Sequence, residues 1–167
     1  VLATALTTGL SLAVLGAQTR IVPPSHKYSP QQDVELGREA AAQARQELPL
    51  MRDDNVTSYV ADLGQRLVSG IPREFEQSAF QYTFDTLNVR DINAFALPGG
   101  YIFINRGLLA YLNSEAELAA VLGHEVGHVT ARHGVRQQSQ SMAWNILGQA
   151  VAIGTGVGAA GDLTNVL

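Results

Sequence analysis

The amino-acid sequence predicts an α+β domain that is mostly helical and contains a small sheet. Two segments, 31–47 and 55–68, place apolar residues at helical spacing among polar ones. Residues 80–85 alternate between apolar and polar side chains, and the apolar run 101–104 follows a Pro-Gly-Gly turn, so both predict strands. The length of 167 residues suits one domain with an apolar core of its own.

The first two predicted helices each have one apolar face. In the first, Leu36, Ala40 and Ala44 repeat every four residues beside a charged face. Gly70 and Pro72 end the second helix. The apolar face of that second helix consists of Val56, Tyr59, Val60, Leu63 and Leu67.

A further helix is predicted to begin after Ser114, because a Ser followed three residues later by Glu117 can form a capping box. A shorter helical stretch, 107–112, is predicted just before it. Apolar residues at helical spacing continue the longer helix toward Gly134; they are Leu118, Val121, Leu122, Val126 and Val129.

Composition and charge exclude several classes of protein. The net charge of −4 gives no basic surface of the kind that binds nucleic acid. The sequence has no Cys, which excludes a disulfide scaffold, a thiol nucleophile and a Cys-ligated metal site.

The two ends of the sequence are apolar. Residues 1–17 carry no charge and resemble an export signal without its basic start, with a membrane anchor or a buried helix as the alternatives. Residues 18–29 contain Pro23 and Pro24 among polar residues and predict a linker. The uncharged segment 142–161 is expected either to cover a cleft, which we favour, or to insert in a membrane.

The strongest chemical signal is the pair His124 and His128 with Glu125 between them. On a helix the two His lie about 40° apart on one face, so both imidazoles can point to one zinc ion. Glu125 lies about 60° round from His128, too far for an easy third ligand but suited to take a proton from the attacking water. A hydrogen-bonded helix face without metal is the alternative; the spacing favours a zinc site with Glu125 as general base.

A third zinc ligand is not evident in the sequence. His133 is about 140° round the same predicted helix from His128, so it is expected to face elsewhere. Ala131 and Gly134 stand where the extended metzincin pattern requires Gly and His, which rejects that class. Asp162 lies in a Gly-rich tail without helical support, and a ligand role there is improbable.

Further motifs surround the His pair. They are Asn93-Ala94-Phe95-Ala96-Leu97-Pro98-Gly99-Gly100-Tyr101-Ile102, Gly107-Leu108-Leu109, Ser114-Glu115-Ala116-Glu117-Leu118 and Arg132-His133, with Gly37 and Gly64 in the first two helices. With these motifs, residues 30–140 resemble peptidase family M48. The resemblance is nearest to the periplasmic BepA-like branch, whose relatives include HtpX and the CAAX prenyl protease.

The resemblance implies a gluzincin-like fold in which an edge strand of the sheet lies beside the active-site helix. It also implies a Glu in a Glu-x-x-x-Asp helix as the third zinc ligand, and a downstream residue that stabilises the oxyanion. Neither is found in the sequence, so we expect both beyond Leu167. Residues 30–167 are then the front part of a metallopeptidase catalytic domain, which in similar proteins is often followed by a helical-repeat domain.

For substrate binding, the resemblance implies that the strand beginning at Tyr101 is the edge to which an extended polypeptide adds as a further strand. Tyr101, Ile102 and Phe103 are then substrate-binding residues, and the loop from Asn93 leads into them. The alternative for Asn93 is a role in shaping the turn alone.

These features together predict a zinc-dependent endopeptidase of the cell envelope that uses a zinc-activated water. By resemblance it acts in protein quality control or with the outer-membrane assembly machinery, in the periplasm or anchored in the inner membrane. A non-catalytic, chaperone-like polypeptide-binding module is the first alternative, and a zinc hydrolase of another substrate is the second. No nucleic-acid partner is expected, and membrane association is possible.

Overall fold

The computed structural model describes residues 28–133. Its elements in chain order are α1 (Pro30–Glu47), α2 (Asp54–Val68), β1 (Thr83–Leu87), β2 (Ala94–Leu97), β3 (Tyr101–Asn105), α3 (Arg106–Tyr111) and α4 (Glu115–Thr130), with single 3₁₀ turns at Arg73–Phe75 and Pro98–Gly100. The predicted α+β class is confirmed. The first two helices begin one residue earlier than the apolar spacing predicted, and the strand expected over 80–85 begins only at Thr83.

The three strands form one mixed sheet in the order β1-β3-β2. β1 runs parallel to β3, with Thr83 opposite Tyr101, and β2 runs antiparallel to β3, with Ala94 opposite Ile104. One face of the sheet packs on α1 and the other on α2 and α4. The sheet is therefore the middle layer of three, and α4 lies on the face opposite α1.

The expectation that Tyr101 begins an edge strand is wrong. Phe103 pairs with Asp85 on one side and with Phe95 on the other, so β3 is the central strand. All five residues of β3 are buried. A continuous apolar run is typical of a strand covered on both faces. Its backbone groups are used by both neighbouring strands, so β3 cannot accept a further strand from a substrate.

The α1 helix approaches the turn between β2 and β3 at Gly37. A Cβ atom built on Gly37 would lie 1.7 Å from the carbonyl oxygen of Pro98, so only Gly permits this contact. The turn itself needs Gly99, whose φ of +79° is a conformation that other residues rarely adopt. These glycines set how closely α1 covers the end of β2.

The α4 helix begins where the sequence predicted. The Ser114 hydroxyl accepts a hydrogen bond from the Glu117 backbone N–H, at 3.2 Å. The Glu117 carboxylate does not return to Ser114 as a full capping box requires; it accepts the backbone N–H of Asn113, at 2.7 Å. The N-cap at Ser114 is thus confirmed. The second hydrogen bond, from a backbone N–H to the Glu117 carboxylate, comes from Asn113 instead of Ser114.

The α4 helix ends at Thr130, four residues before the predicted end at Gly134. Arg132 takes a left-handed conformation with φ of 54°, which breaks the helix. Its Nε atom donates to the Asp33 carboxylate at 2.6 Å, and its Nη2 atom donates to the Tyr28 carbonyl at 2.5 Å. Asp33 is 1% exposed and Arg132 is 10% exposed, so this ion pair is buried. It joins the start of α1 to the end of α4.

Several sequence predictions concern residues outside the described range. The apolar segments 1–17 and 142–161 lie there, as does most of the predicted linker 18–29. Within residues 28–133, none of the helices has both the length and the apolarity needed to cross a bilayer.

Replacing Gly37 tests the close approach of α1 to the turn. Gly37→Ala is expected to lower the free energy of unfolding by about 2 kcal/mol or more, because the new methyl group overlaps the Pro98 backbone. Gly123→Ala in α4 is the matched control, since a Cβ there meets nothing within 4 Å. The control is expected to gain about 0.5–1 kcal/mol from the better helix propensity of Ala. Urea unfolding measures both, and equal effects would contradict the packing described here.

Replacing Arg132 tests the buried ion pair. Arg132→Gln is expected to lower the free energy of unfolding by about 3 kcal/mol, because Asp33 is then a buried charge without its counter-ion. The control is Arg38→Gln, which removes an ion pair with Glu35 whose side chains are 60% and 59% exposed. The control is expected to unfold at nearly the same urea concentration as the parent chain. A loss at Arg132 no larger than at Arg38 would show that the pair is not structural.

Candidate metal centre and active site

The α4 helix carries the candidate site on the side that its core contacts leave free. Its buried residues are Leu118, Leu122, Val126 and Val129, which pack against the sheet and α2. His124 is exposed, whereas Glu125 and His128 are half-buried. Packing of the apolar stripe thus fixes the rotation of the helix and the direction of the His pair.

His124 and His128 converge on one point. Their Nε2 atoms are 2.8 Å apart, and their rings meet edge to face with centroids 4.4 Å apart. Two imidazole nitrogens bound tetrahedrally to one zinc ion would be about 3.3 Å apart, given Zn–N distances of 2.0–2.1 Å. If the two Nε2 atoms moved apart by about half an ångström, the ion would fit between them. The predicted placement on one helix face is found, and the donor pair fits zinc.

Glu125 occupies the position between the two His on the same helix. Burial raises the pKa of the Glu125 carboxyl, and the nearby His124 opposes this rise. A carboxyl with a raised pKa exchanges its proton closer to neutral pH, which suits a general base that must also release the proton.

His133 does not face away from the site as the helical spacing predicted. Because α4 ends at Thr130 and Arg132 reverses the chain, His133 Nδ1 lies 2.9 Å from His128 Nδ1. Burial lowers the pKa of His128, and the neighbouring His124 and His133 lower it further. A lowered pKa favours the neutral imidazole, which is the form that binds metal. The only signal for this contact was the Arg132-His133 pair that follows the main motif.

Within residues 28–133, His, Asp and Glu side chains form no group of three or more that could hold a metal ion. Asp162 and any ligand beyond Leu167 lie outside that range. The described residues thus offer two imidazole donors suited to zinc and a carboxyl beside them, and the third ligand stays a prediction.

The four residues predicted to bind substrate do not surround the His pair. Tyr101 and Phe103 pack on the α1 side of the sheet, opposite α4. Ile102 lies in the core between the sheet and α4. Asn93 accepts the Asn105 backbone N–H through its own carbonyl at 2.9 Å, which extends the pairing of β2 with β3.

The strand beside α4 is β2, and the sequence did not indicate its place at the edge of the sheet. Within residues 28–133, β2 pairs with another strand only on its β3 side. Hydrogen-bonded pairs alternate in an antiparallel ladder, and the Asn93–Asn105 bond makes Phe95 and Leu97 face β3. The backbone groups of Ala94 and Ala96 therefore face the open edge.

The end of β2 lies close to His128. Ala96, Pro98 and His128 line one cleft between the end of β2 and α4. The predicted arrangement of an edge strand beside the active-site helix is thus present, with β2 in the place expected for β3.

Comparison with known proteins identifies relatives of this chain. The model described as Peptidase family M48 matches residues 55–167. The chain is 35% identical over 118 residues to the beta-barrel assembly-enhancing protease of Escherichia coli, covering 68% of this chain and 23% of that protein. It is 36% identical over 109 residues to the protein of that name in Yersinia pestis, covering 65% and 22%. It is 46% identical over 56 residues to the mitochondrial metalloendopeptidase OMA1 of Arabidopsis thaliana, covering 34% and 12%.

The family match and the geometry agree on the same part of the chain. The chain spans less than a quarter of the length of these relatives. The family model nevertheless covers most of the chain, including α2, the whole sheet and the helix that carries His124, Glu125 and His128. On this evidence the chain belongs to peptidase family M48.

Proposed function

We propose that this chain supplies the catalytic helix and substrate edge of a zinc-dependent endopeptidase. The observation that carries the proposal is the convergence of the His124 and His128 Nε2 atoms, 2.8 Å apart, on a helix that also holds Glu125. The open edge of β2 beside that helix supplies a place for an extended peptide. Membership of family M48 supports the same reaction class.

His124 and His128 are the proposed zinc ligands, each binding through Nε2. We place the third ligand in a Glu-x-x-x-Asp helix beyond Leu167, and the residue that stabilises the oxyanion also beyond that point. Zinc, when bound, polarises a peptide carbonyl and makes water a better nucleophile near neutral pH. The protein's own part is to aim both imidazoles at one point and to favour the neutral form of His128, whose pKa is lowered first by burial.

Glu125 is the proposed general base. It accepts a proton from the water that attacks the scissile carbonyl and delivers that proton to the leaving amine. Its raised pKa supports this double role, because a carboxyl that is too acidic would hold the proton too weakly to pass it on.

The substrate proposed for the cleft is an extended or unfolded polypeptide. Its backbone pairs with the outward N–H and C=O groups of Ala94 and Ala96, which brings a peptide bond toward His128. Backbone pairing is largely independent of side-chain identity, and it requires that the substrate is not already folded. This suits an enzyme that degrades misfolded or stalled proteins.

The biological setting is proposed from the relatives and from the ends of the sequence. The names of the bacterial relatives include beta-barrel assembly, which supports a role in outer-membrane protein assembly or its quality control. The uncharged residues 1–17 support export to the periplasm. Anchoring in the inner membrane is the alternative for the same segment.

A chaperone-like binding module without catalysis is the second candidate. It is favoured by one observation: residues 28–133 present an open strand edge but no complete set of metal ligands. Hydrolysis by the chain extended past Leu167 separates the two candidates, because a binding module would hold polypeptide without cleaving it.

Replacing Glu125 tests the proposed base. In the chain extended past Leu167, Glu125→Gln is expected to lower the rate of casein hydrolysis about 100-fold or more, because proton transfer loses its acceptor. Zinc content per chain is expected to stay unchanged. Glu115→Gln, on the same helix but bound to Tyr59 at its far end, is the control and is expected to retain activity. Hydrolysis by the Glu125→Gln variant within a few-fold of the parent would remove Glu125 from the mechanism.

Replacing Ala96 tests the proposed substrate edge. Ala96→Pro removes an N–H that faces away from β3, so the sheet is expected to keep its stability. The affinity for a fluorescently labelled unfolded polypeptide is expected to fall about 10-fold, as the loss of roughly 1.4 kcal/mol of backbone pairing predicts.

The matched control is Ala96→Ser, which keeps the N–H and is expected to bind as the parent does. Both affinities are measured by fluorescence anisotropy. If the Pro and Ser variants bind equally while both are folded, the substrate does not pair with β2.

A further inference from the structure

The His128 ring has a neighbour at each of its two nitrogens. Its Nε2 atom lies 2.8 Å from His124 Nε2, which is the side of the proposed metal. Its Nδ1 atom lies 2.9 Å from His133 Nδ1, with the two ring centroids 5.0 Å apart. Both distances are those of hydrogen bonds. The proton position on His128 is therefore linked to both neighbouring rings.

Metal binding at Nε2 requires one tautomer of His128. A neutral imidazole carries a single N–H, so a free lone pair on Nε2 places the proton on Nδ1. That Nδ1–H needs an acceptor, and His133 Nδ1 is in position to be one. His133 then carries its own proton on Nε2, and because the ring is exposed, water can accept from it.

The opposite tautomer of His128 would close the site. With the proton on Nε2, His128 would donate to His124 Nε2 and would have no lone pair there for a metal. With the proton on Nδ1, the same hydrogen bond is donated by His124 in the metal-free chain, and only the His124 proton has to leave Nε2 when zinc binds. An acceptor at Nδ1 is what favours the binding form. Partners of this kind, behind a metal-bound His, fix the tautomer and the ring orientation.

His133 reaches this position only because the chain reverses after α4. On a continued helix it would lie about 140° round from His128. The left-handed conformation of Arg132 turns the chain, and the Arg132 side chain is held by the buried carboxylate of Asp33. Because Asp33 belongs to α1, the position of His133 depends on the contact between the start of α1 and the end of α4.

We propose that His133 is a positioning residue that holds His128 in the Nδ1–H tautomer, with the Asp33–Arg132 ion pair holding His133 in place. The inference rests on the proposed role of His128 as a zinc ligand through Nε2. It assigns no contact with substrate to His133.

The first test is the tautomer itself. Long-range ¹H–¹⁵N spectra of the metal-free 167-residue chain are recorded at a pH where all imidazoles are neutral. The spectra are expected to show the Nδ1–H form of His128 and the Nε2–H form of His133. His133→Asn places an amide oxygen where Nδ1 was, and His128 is expected to keep its tautomer. His133→Phe keeps a ring without an acceptor, and His128 is expected to shift toward the Nε2–H form.

The second test is zinc affinity, measured on the same chains by competition with a chromophoric chelator. His133→Phe is expected to weaken zinc binding about 10-fold or more, as the loss of such partners does elsewhere. His133→Asn is expected to stay within about 3-fold of the parent, since it restores the acceptor. Arg132→Gln is expected to weaken zinc binding like the Phe variant, because it frees the turn.

Two results would overturn the proposal. One is an Nε2–H tautomer of His128 in the parent chain. The other is a Phe variant with the same His128 tautomer and zinc affinity as the Asn variant. Neither readout involves hydrolysis, so an inactive enzyme would count against the proposed function and leave this inference standing. Zinc binding that survives replacement of His128 would remove the ligand role on which it rests.

Discussion

The arrangement of the candidate site depends on the burial of one stripe of α4. Leu118, Leu122, Val126 and Val129 recur at three- and four-residue spacing and are all buried against the sheet and α2. A helix fixed along such a stripe cannot rotate without exposing it, and each of these side chains contributes about 1.5–3 kcal/mol by its burial. The residues between them are then aimed away from the core, and the His pair converges because it shares one of these outward faces.

A second constraint joins the start of α1 to the end of α4. The buried ion pair joins Asp33 and Arg132, which stand near opposite ends of the described residues in the sequence. Both side chains line the cleft that His128 also lines. Gly37 lets α1 press on the Pro98 carbonyl, so the same helix also covers the end of β2. Through these two contacts α1 packs against both sides of the cleft. One side is the end of β2, and the other is the turn that carries His133.

Much of the fold was predictable because its signals are local. Helical spacing gave α1 and α2 to within one residue at their starts, and Ser114 marked the start of α4. The convergence of His124 and His128 also follows from spacing on one helix. Strand order was not predictable in this way, because the parallel pairing of β1 with β3 is a non-local contact that alternation does not specify. The apolar run of β3 was correctly read as a strand, but its central place, and hence the edge role of β2, needed the sheet.

The position of His133 was missed for a different physical reason. The prediction continued α4 to Gly134, whereas the buried partner of Arg132 holds that residue in a left-handed conformation that helical spacing does not foresee. The proposed function depends on zinc held by His124 and His128. Zinc K-edge X-ray absorption of the zinc-loaded chain tests this most directly. Two imidazole rings are expected at about 2.0 Å from the metal, and a coordination shell that contains no imidazole would contradict the proposed function.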